Sequence, residues 1–261
     1  GQDLKRGERA LTSPFKLNPS SIGLLASLGK HRIRVEKSPG VAVITTGDEV
    51  VPVVQKASDL QIHNSNLHVL KALLREKGSR IERETHVLDK KEDLEAAIKE
   101  HLNYDLLIMT GGVSAGDADY VPDILSKLGV KKLFHKVAIK PGKPIWCGQL
   151  PNKGLVFALP GNPFSCMVTF KLFVETYLLA CSNLTLQQPF KLPISFNRVK
   201  RTGFDEFFPV LISGEKAVLT EAPLNGSGDI RLGSFSNALA IHPAVQMEIG
   251  KGEEICYLPI N

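Results

Sequence analysis

The sequence predicts an α/β fold: a three-layer, mainly parallel sheet with helices on both faces, followed by a small C-terminal all-β domain. Three observations predict it. Between residues 41 and 181 short apolar runs alternate with segments of helical period, as βαβ units do when both faces of a sheet are covered. The glycine- and proline-rich stretches fall where the apolar runs end. Beyond residue 184 the helical period stops, and short β-like pieces separated by Gly, Asn and Pro take over. Three segments follow: 1–38 as the remnant of an N-terminal domain, 39–183 as the α/β domain, and 184–261 as a small barrel-like domain.

Residues 1–38 carry turn signals at Gly7, Pro14 and Pro19 and one helix-forming stretch, "PSSIGLLASLG". Ser20 or Ser21 lies near the start of that helix and Gly29 closes it. The segment is too small for a core of its own, so it either packs on the next domain or is the tail of a domain whose first part lies outside this chain. From Val41, "VAVITT" is a buried strand. "NSNLHVLKALLREKG" is a helix, because Leu67, Leu70, Leu73 and Leu74 share one stripe at helical but not at strand period. The series continues with "RIERETHV" (strand), "KEDLEAAIKEHL" (helix), "DLLIMT" (strand) and "VPDILSKLG" (helix). It ends with "HKVAI" and "LVFALP" as strands and "PFSCMVTFKLFVETYLLAC" as a long helix. The C-terminal strands are "FKLPISFNRV", "EFFPVLI", "KAVLTEA", "ALAIHP" and "EEICYLP".

Composition narrows the function. A net charge of +5 is mild, and the basic residues are interspersed with acids, as in "LLREKGSRIERE", so no nucleic-acid partner is expected. Cys147, Cys166, Cys181 and Cys256 are far apart and form no CxxC or His/Cys metal spacing. They suit buried thiols of a cytoplasmic protein without structural zinc. No apolar run in the sequence approaches the ~20 residues of a membrane span, and "GQDLKRGERAL" has no signal-peptide core. A soluble chain with no membrane partner is expected.

Ligands of open α/β sheets bind beyond the carboxyl ends of the strands, and the chemistry-bearing residues gather there. In "TGGVSAGDADY", Gly111, Gly112 and Gly116 can take positive φ, so that a ligand can reach the bare backbone around Val113 and Ser114. With Pro122 opening the next helix, the loop reads as an anion cradle. It is equally compatible with a turn in which Asp119 merely caps that helix. Asp117 and Asp119 would repel a phosphate, a conflict that Mg²⁺ or another divalent cation resolves. Asp48 and Glu49 of "TTGDE" are natural additional acids, although each alone also reads as a solvated turn residue. In "IKPGKP", Lys140 and Lys143 flank Gly142 in a stiff extended segment. The pair suits a doubly charged oxyanion, or else is a pair of solvated turn lysines. "LPGNPFS" repeats the strand–turn–helix design, with Pro163 at the helix start and Ser165 as anion donor or cap. The seven histidines are scattered, and neither GxSxG, HExxH, Walker A nor GxGxxG occurs. What remains is charge neutralisation and positioning of a phosphorylated ligand, with water as nucleophile.

In this order and spacing, "TTGDEVV", "IHNSN", "TGGVSAGDADYV", "AIKPGKP" and "LPGNPFS" resemble the molybdopterin molybdenumtransferase family, the MoeA type that includes the gephyrin E region. The resemblance runs from about Val41 to Cys181, and more weakly through "GSGDIRLGSFSNAL". It implies an enzyme that takes adenylylated molybdopterin (molybdopterin-AMP) and molybdate, hydrolyses the adenylate with a divalent metal, and leaves molybdenum on the dithiolene. By the same resemblance Glu49, Asp89 and Asp119 are catalytic, with Glu49 and Asp119 as metal ligands. The loop of Gly111, Gly112, Val113, Ser114 and Gly116 would hold the pterin phosphate or pyrophosphate, and Lys140, Lys143 and Ser165 the molybdate oxyanion. Thr46, Gly47, Asp117, Gly142, Pro160, Gly161, Asn162 and Pro163 would be further ligand-binding residues. A homodimer and a contact with a molybdopterin adenylyltransferase are also implied. The alternatives are that the chain is itself such an adenylyltransferase, or a non-catalytic ligand-binding or scaffold fragment of the family. Two departures stand out. The family's chains are longer at the N-terminus, so this chain is expected to be a fragment. In "RTGFDEF" Phe204 stands where the family commonly has Arg, which leaves Arg201 or Arg231 to substitute.

Overall fold

The strand "VAVITT" is buried at every position, and a strand with no solvent face must lie inside a sheet covered on both sides. The computed structural model describes residues 3–112, 120–184, 188–213, 218–229, 231 and 235–260. Its central sheet has the spatial order β4 (Ile81–Val87), β1 (Val41–Thr46), β5 (Leu106–Thr110), β9 (Leu155–Leu159), β8 (Trp146–Gln149), β6 (Lys131–His135). The ladders β4–β1, β1–β5 and β5–β9 are parallel. The β9–β8 and β8–β6 ladders are antiparallel.

Period-two alternation splits the strand residues between two cores. Ala42, Ile44, Leu107, Met109, Val156 and Ala158 pack with Trp146 and with helices α3 (Lys91–Glu100) and α4 (Val121–Lys127). Val41, Val43, Leu106, Ile108, Phe157 and Leu159 face the other way. They pack against α2 (Ser65–Glu76) and the long helix Pro163–Cys181. That helix consists of α5 (Pro163–Thr169), a π-helical turn (Phe170–Val174) and α6 (Glu175–Cys181). By length and composition it could cross a membrane, although no single apolar run in the sequence suggests it. Its apolar side, Cys166, Phe170, Val174 and Leu178, is committed to the sheet. Its Glu175 accepts ion pairs from Lys171 and Lys77, both at 3.0 Å.

A second sheet runs β10 (Phe190–Pro193), β16 (Glu254–Pro259), β14 (Ala238–His242), β12 (Asp205–Ser213), β13 (Val218–Glu221), around Ile194, Phe208, Val210, Leu219 and Ala240. Two short pairs accompany the sheets: β2 (Val50–Val51) with β3 (Ile62–His63), and β11 (Arg198–Val199) with β15 (Glu248–Ile249). Phe164 and Val168 of α5 pack on Phe207 and Leu239, joining the long helix to this sheet.

The structure corrects two expectations. The stretch "HKVAI" is not one strand: β6 ends at His135, Lys136 turns the backbone at φ 62, and β7 (Ile139–Lys140) pairs in parallel with β12 of the second sheet. The "WCGQ" strand β8, second from the edge of the central sheet, runs antiparallel to both of its neighbours, so the sheet is mixed. The N-terminal helix α1 (Pro19–Ser27) has Ser20 and Ser21 in its first turn, as expected, and is capped by Asn18. The Asn18 side chain accepts from the Ser21 N–H, and Ser21 answers in a capping box. Among described residues 3–38 only Ser21 is buried.

Trp146 is 1% exposed, and the bare backbone of Gly148 lies against its ring: a Cβ there would meet Trp146 Cη2 at 2.4 Å. Trp146→Ala is expected to cost about 3–5 kcal/mol of stability, read as a lower urea midpoint with an unchanged slope; an unchanged midpoint would contradict this packing.

Candidate active site

Parallel strands in register end at one level, and their loops emerge together. Thr45 of β1 sits beside Thr110 of β5, and Thr110 beside Leu159 of β9. Beyond that edge lies a cleft of about 1310 Å³. It is lined by Thr46, Gly47, Glu49, Asp89, Gly111, Gly112, Lys140, Gly142, Lys143, Pro160, Gly161, Asn162, Pro163 and Ser165. These are all the described members of the expected site. Val113, Ser114, Gly116, Asp117 and Asp119 lie outside the described residues.

Each segment has a local reason for its course. Gly111 has φ 96, and a Cβ on it would come within 2.5 Å of the Thr46 carbonyl oxygen, so two strand ends meet as bare backbone. Gly142 has φ 107 and lies against Thr169, where a Cβ would approach Cγ2 to 2.6 Å. The lysine turn is closed by backbone bonds from Val137 N–H to Lys143 O (3.0 Å) and from Ile145 N–H to Gly142 O (3.1 Å). The asparagines of "IHNSN" tie strand ends together. The Asn64 amide donates to Thr45 Oγ1 (2.9 Å), and the Asn66 amide donates to Thr110 Oγ1 (3.0 Å) and Gly161 O (2.7 Å). Asn162 donates to Ser227 Oγ (2.8 Å), and the Phe164 N–H to Ser227 O (3.1 Å), so the loop after β13 closes over the "PGNPF" turn.

The acids hold one another in place. Thr46 Oγ1 donates to Asp89 Oδ1, and the Asp89 N–H donates to Asp48 Oδ1 at 2.9 Å. Asp48 thus braces Asp89 and is absent from the lining of the cleft. Glu49 and Asp89 both line it. Among the described residues no group of three His, Cys, Asp or Glu converges on one point. Two carboxylates fit a hard divalent ion that completes its shell with phosphate oxygens and water. They do not fit a closed zinc cage.

The sequence did not single out the remaining polar wall, Arg198, Thr202 and Glu206. Glu206 is 5% exposed and accepts from Arg198 Nη2 (2.8 Å), Thr202 Oγ1 (2.8 Å) and Lys140 Nζ (3.3 Å). Burial pushes its carboxyl up, but the Arg198, Thr202 and Lys140 donors outweigh that and hold it at about 2. Arg198 also donates Nη1 to His242 Nδ1 (2.9 Å), and its Cζ lies 4.1 Å from the Phe208 ring centroid. Phe204 lines the cleft with Lys143 Nζ 5.5 Å from its ring centroid. Neither Arg201 nor Arg231 lines the cleft. Arg231 is paired with Asp229 at 2.8 Å, which holds that carboxyl below the usual range. The arginine that does line it is Arg198. Burial pushes the Cys147 and Cys166 thiols up to about 12, so neither supplies a thiolate at neutral pH.

Comparison with known proteins agrees with this geometry. Residues 42–180 match the family described as probable molybdopterin binding domain. A molybdopterin molybdenumtransferase of Synechococcus elongatus is 35% identical over 259 residues, 98% of this chain and 64% of that protein. One from Bacillus subtilis is 33% identical over 256 residues, 93% of this chain and 57% of that protein. The chain therefore spans about 57–64% of the length of these relatives. The molybdopterin biosynthesis MoeA protein of Pyrococcus horikosii superposes with a TM-score of 0.81 at 28% identity, over 94% of this chain and 60% of that one.

The Glu206 network sets an acid dependence. Its folded pKa of about 2 lies below the ordinary 4.5, so its contribution is complete above pH 4.5 and lost as pH falls through about 2. Glu206→Gln is expected to flatten the fall in stability between pH 4.5 and 2, followed by circular dichroism in urea. An unchanged slope would show that this carboxylate does not carry it.

Proposed function

The chain belongs to the family of the probable molybdopterin binding domain, and from that premise we propose that it acts in molybdenum cofactor biosynthesis, inserting molybdate into adenylylated molybdopterin with loss of the adenylate. One observation carries the reading: a single cleft of about 1310 Å³ collects Lys140, Lys143 and Ser165 together with Glu49, Asp89 and the Gly111–Gly112 backbone. Those sets suit different parts of the substrates. The ammonium groups and the Ser165 hydroxyl take a tetrahedral dianion, as point-charge and hydroxyl donors do. The backbone N–H groups of the glycine turn take phosphate oxygens. Glu49 and Asp119 would hold Mg²⁺, with Asp89 lining the cleft beside Glu49. When bound, that ion would neutralise the phosphate charge that the carboxylates otherwise repel. Glu49 and Asp89 would then also orient the attacking water, and the closed loop around Ser227 would exclude bulk solvent.

The finer parts of the reading belong to the same proposal. They are a three-layer α/β domain at 39–183, a separate β domain at 184–261 and a tail of another domain at 1–38. They extend to a cytoplasmic homodimer that receives its substrate from a molybdopterin adenylyltransferase. The names of the relatives support the reaction, and the two-sheet architecture supports the division.

Lys140→Ala and Lys143→Ala are each expected to weaken molybdate binding by about tenfold in calorimetric titration, the loss of one charge-assisted bond. Equal affinity across all three proteins would remove the oxyanion role. Glu49→Gln is expected to abolish Mg²⁺-dependent release of AMP from adenylylated molybdopterin while leaving molybdate binding intact. Undiminished release would reject the metal assignment, and accumulation of adenylylated product from molybdopterin and ATP would favour an adenylyltransferase instead.

A further inference from the structure

We propose that Glu206 is a positioning residue of the oxyanion site, anchoring Lys140 and Arg198 from the second sheet; the proposal rests on the oxyanion reading given above. The starting point is a conflict of sign. A carboxylate in the wall of a site that takes a dianion opposes the ligand by Coulomb's law, yet Glu206 lines the cleft beside Lys140. Its bonds show what it does there.

The β7–β12 ladder is parallel and places Lys140 directly opposite Glu206, so their side chains stand on the same face of the sheet. Glu206 is almost fully buried, whereas the Lys140 side chain is 61% exposed. One end of the pair is therefore fixed in the protein and the other reaches into the cleft. Thr202 and Arg198 complete the hydrogen bonding of Glu206. Arg198 is itself fixed by His242 and by the face of Phe208. A free lysine stem would lose rotamer freedom when it closed on a ligand. Anchoring removes most of that loss in advance, and it sets Arg198 as a third cation beside the lysines. The carboxylate thus opposes the ligand's charge while improving the geometry of the donors. Positioning and bare electrostatics predict opposite signs for its removal.

The test is calorimetric titration of molybdate against the 261-residue chain and its Glu206→Gln, Lys140→Ala, double and Thr202→Val variants. Glu206→Gln is expected to bind about tenfold more weakly, and to change affinity by less than about twofold when Lys140 is already alanine. Thr202→Val loosens the anchor without altering charge and is expected to weaken binding about threefold; it carries the test if Glu206→Gln does not fold. Tighter or unchanged binding by Glu206→Gln would overturn the proposal. So would an equal loss in both backgrounds, the mark of a merely structural role. If the unaltered chain does not bind molybdate, the oxyanion reading itself falls and this inference with it, a result distinct from any difference among variants.

Discussion

The cleft exists because three parallel strands end at one level. The pairing of Thr45 with Thr110, and of Thr110 with Leu159, brings the turns after β1, β5 and β9 to a common edge. Hydrophobic burial sets that register, because a slip of one residue would exchange the two cores. Ile44 and Met109 would then face the α2 side, and Val43 and Ile108 the α3 side. The backbone at the edge is crowded enough that Gly111 approaches the Thr46 carbonyl as only a residue without Cβ can. The site is thus a consequence of core packing some distance beneath it.

The fourth wall has a different origin. The lysine turn leaves the central sheet after Lys136 and joins β12 through two residue pairs. The lysines are therefore carried on a seam between the sheets, and Phe164 and Val168 against Phe207 and Leu239 keep that seam closed. Displacing the second sheet would move Lys140 and Arg198 together and pull on the turn after β9, which is bonded to Ser227 and packed on Phe207, while leaving the turns after β1 and β5 in place. The lysine wall and the glycine turn accordingly depend on separate parts of the fold.

Much of this was legible from residues alone. Strands buried on both faces appear as unbroken apolar runs such as "DLLIMT", and α2 shows its leucine stripe. The turns at 46–49, 111–112, 140–143 and 160–165 were legible because Gly and Pro mark sharp backbone courses. The β8 reversal was not, since "WCGQ" is short and a strand carries no local sign of its direction. Nor were Arg198 and Glu206 as site residues. Their partners Lys140 and His242 lie 66 positions before Glu206 and 44 after Arg198, and a charge in a β segment reads as solvent-facing until a distant strand covers it. The position of the α1 serines was legible, whereas which of Asn18, Ser20 and Ser21 serves as the cap was not, since Asn and Ser cap about equally well.

Phe204 and Arg198 share the cleft wall, one with a phenyl ring and the other with a guanidinium. The resemblance leads to an expectation of arginine at position 204, and a phenyl ring supplies no positive charge. The ring instead lies near Lys143 Nζ, where its negative face favours an ammonium. The guanidinium comes from Arg198, six positions earlier on β11, held flat on Phe208 and bonded to Glu206. Lys140, Lys143 and Arg198 against the single Glu206 carboxylate leave two positive charges on that wall. Two is the number that a tetrahedral dianion neutralises without leaving excess charge in a partly buried place, where uncompensated charge is costly. Without Glu206 nothing would tie Lys140 to Arg198, although Arg198 would keep its contacts with His242 and Phe208. On the reading proposed above, the single glutamate on β12 lowers the positive charge of the anion site and sets its shape.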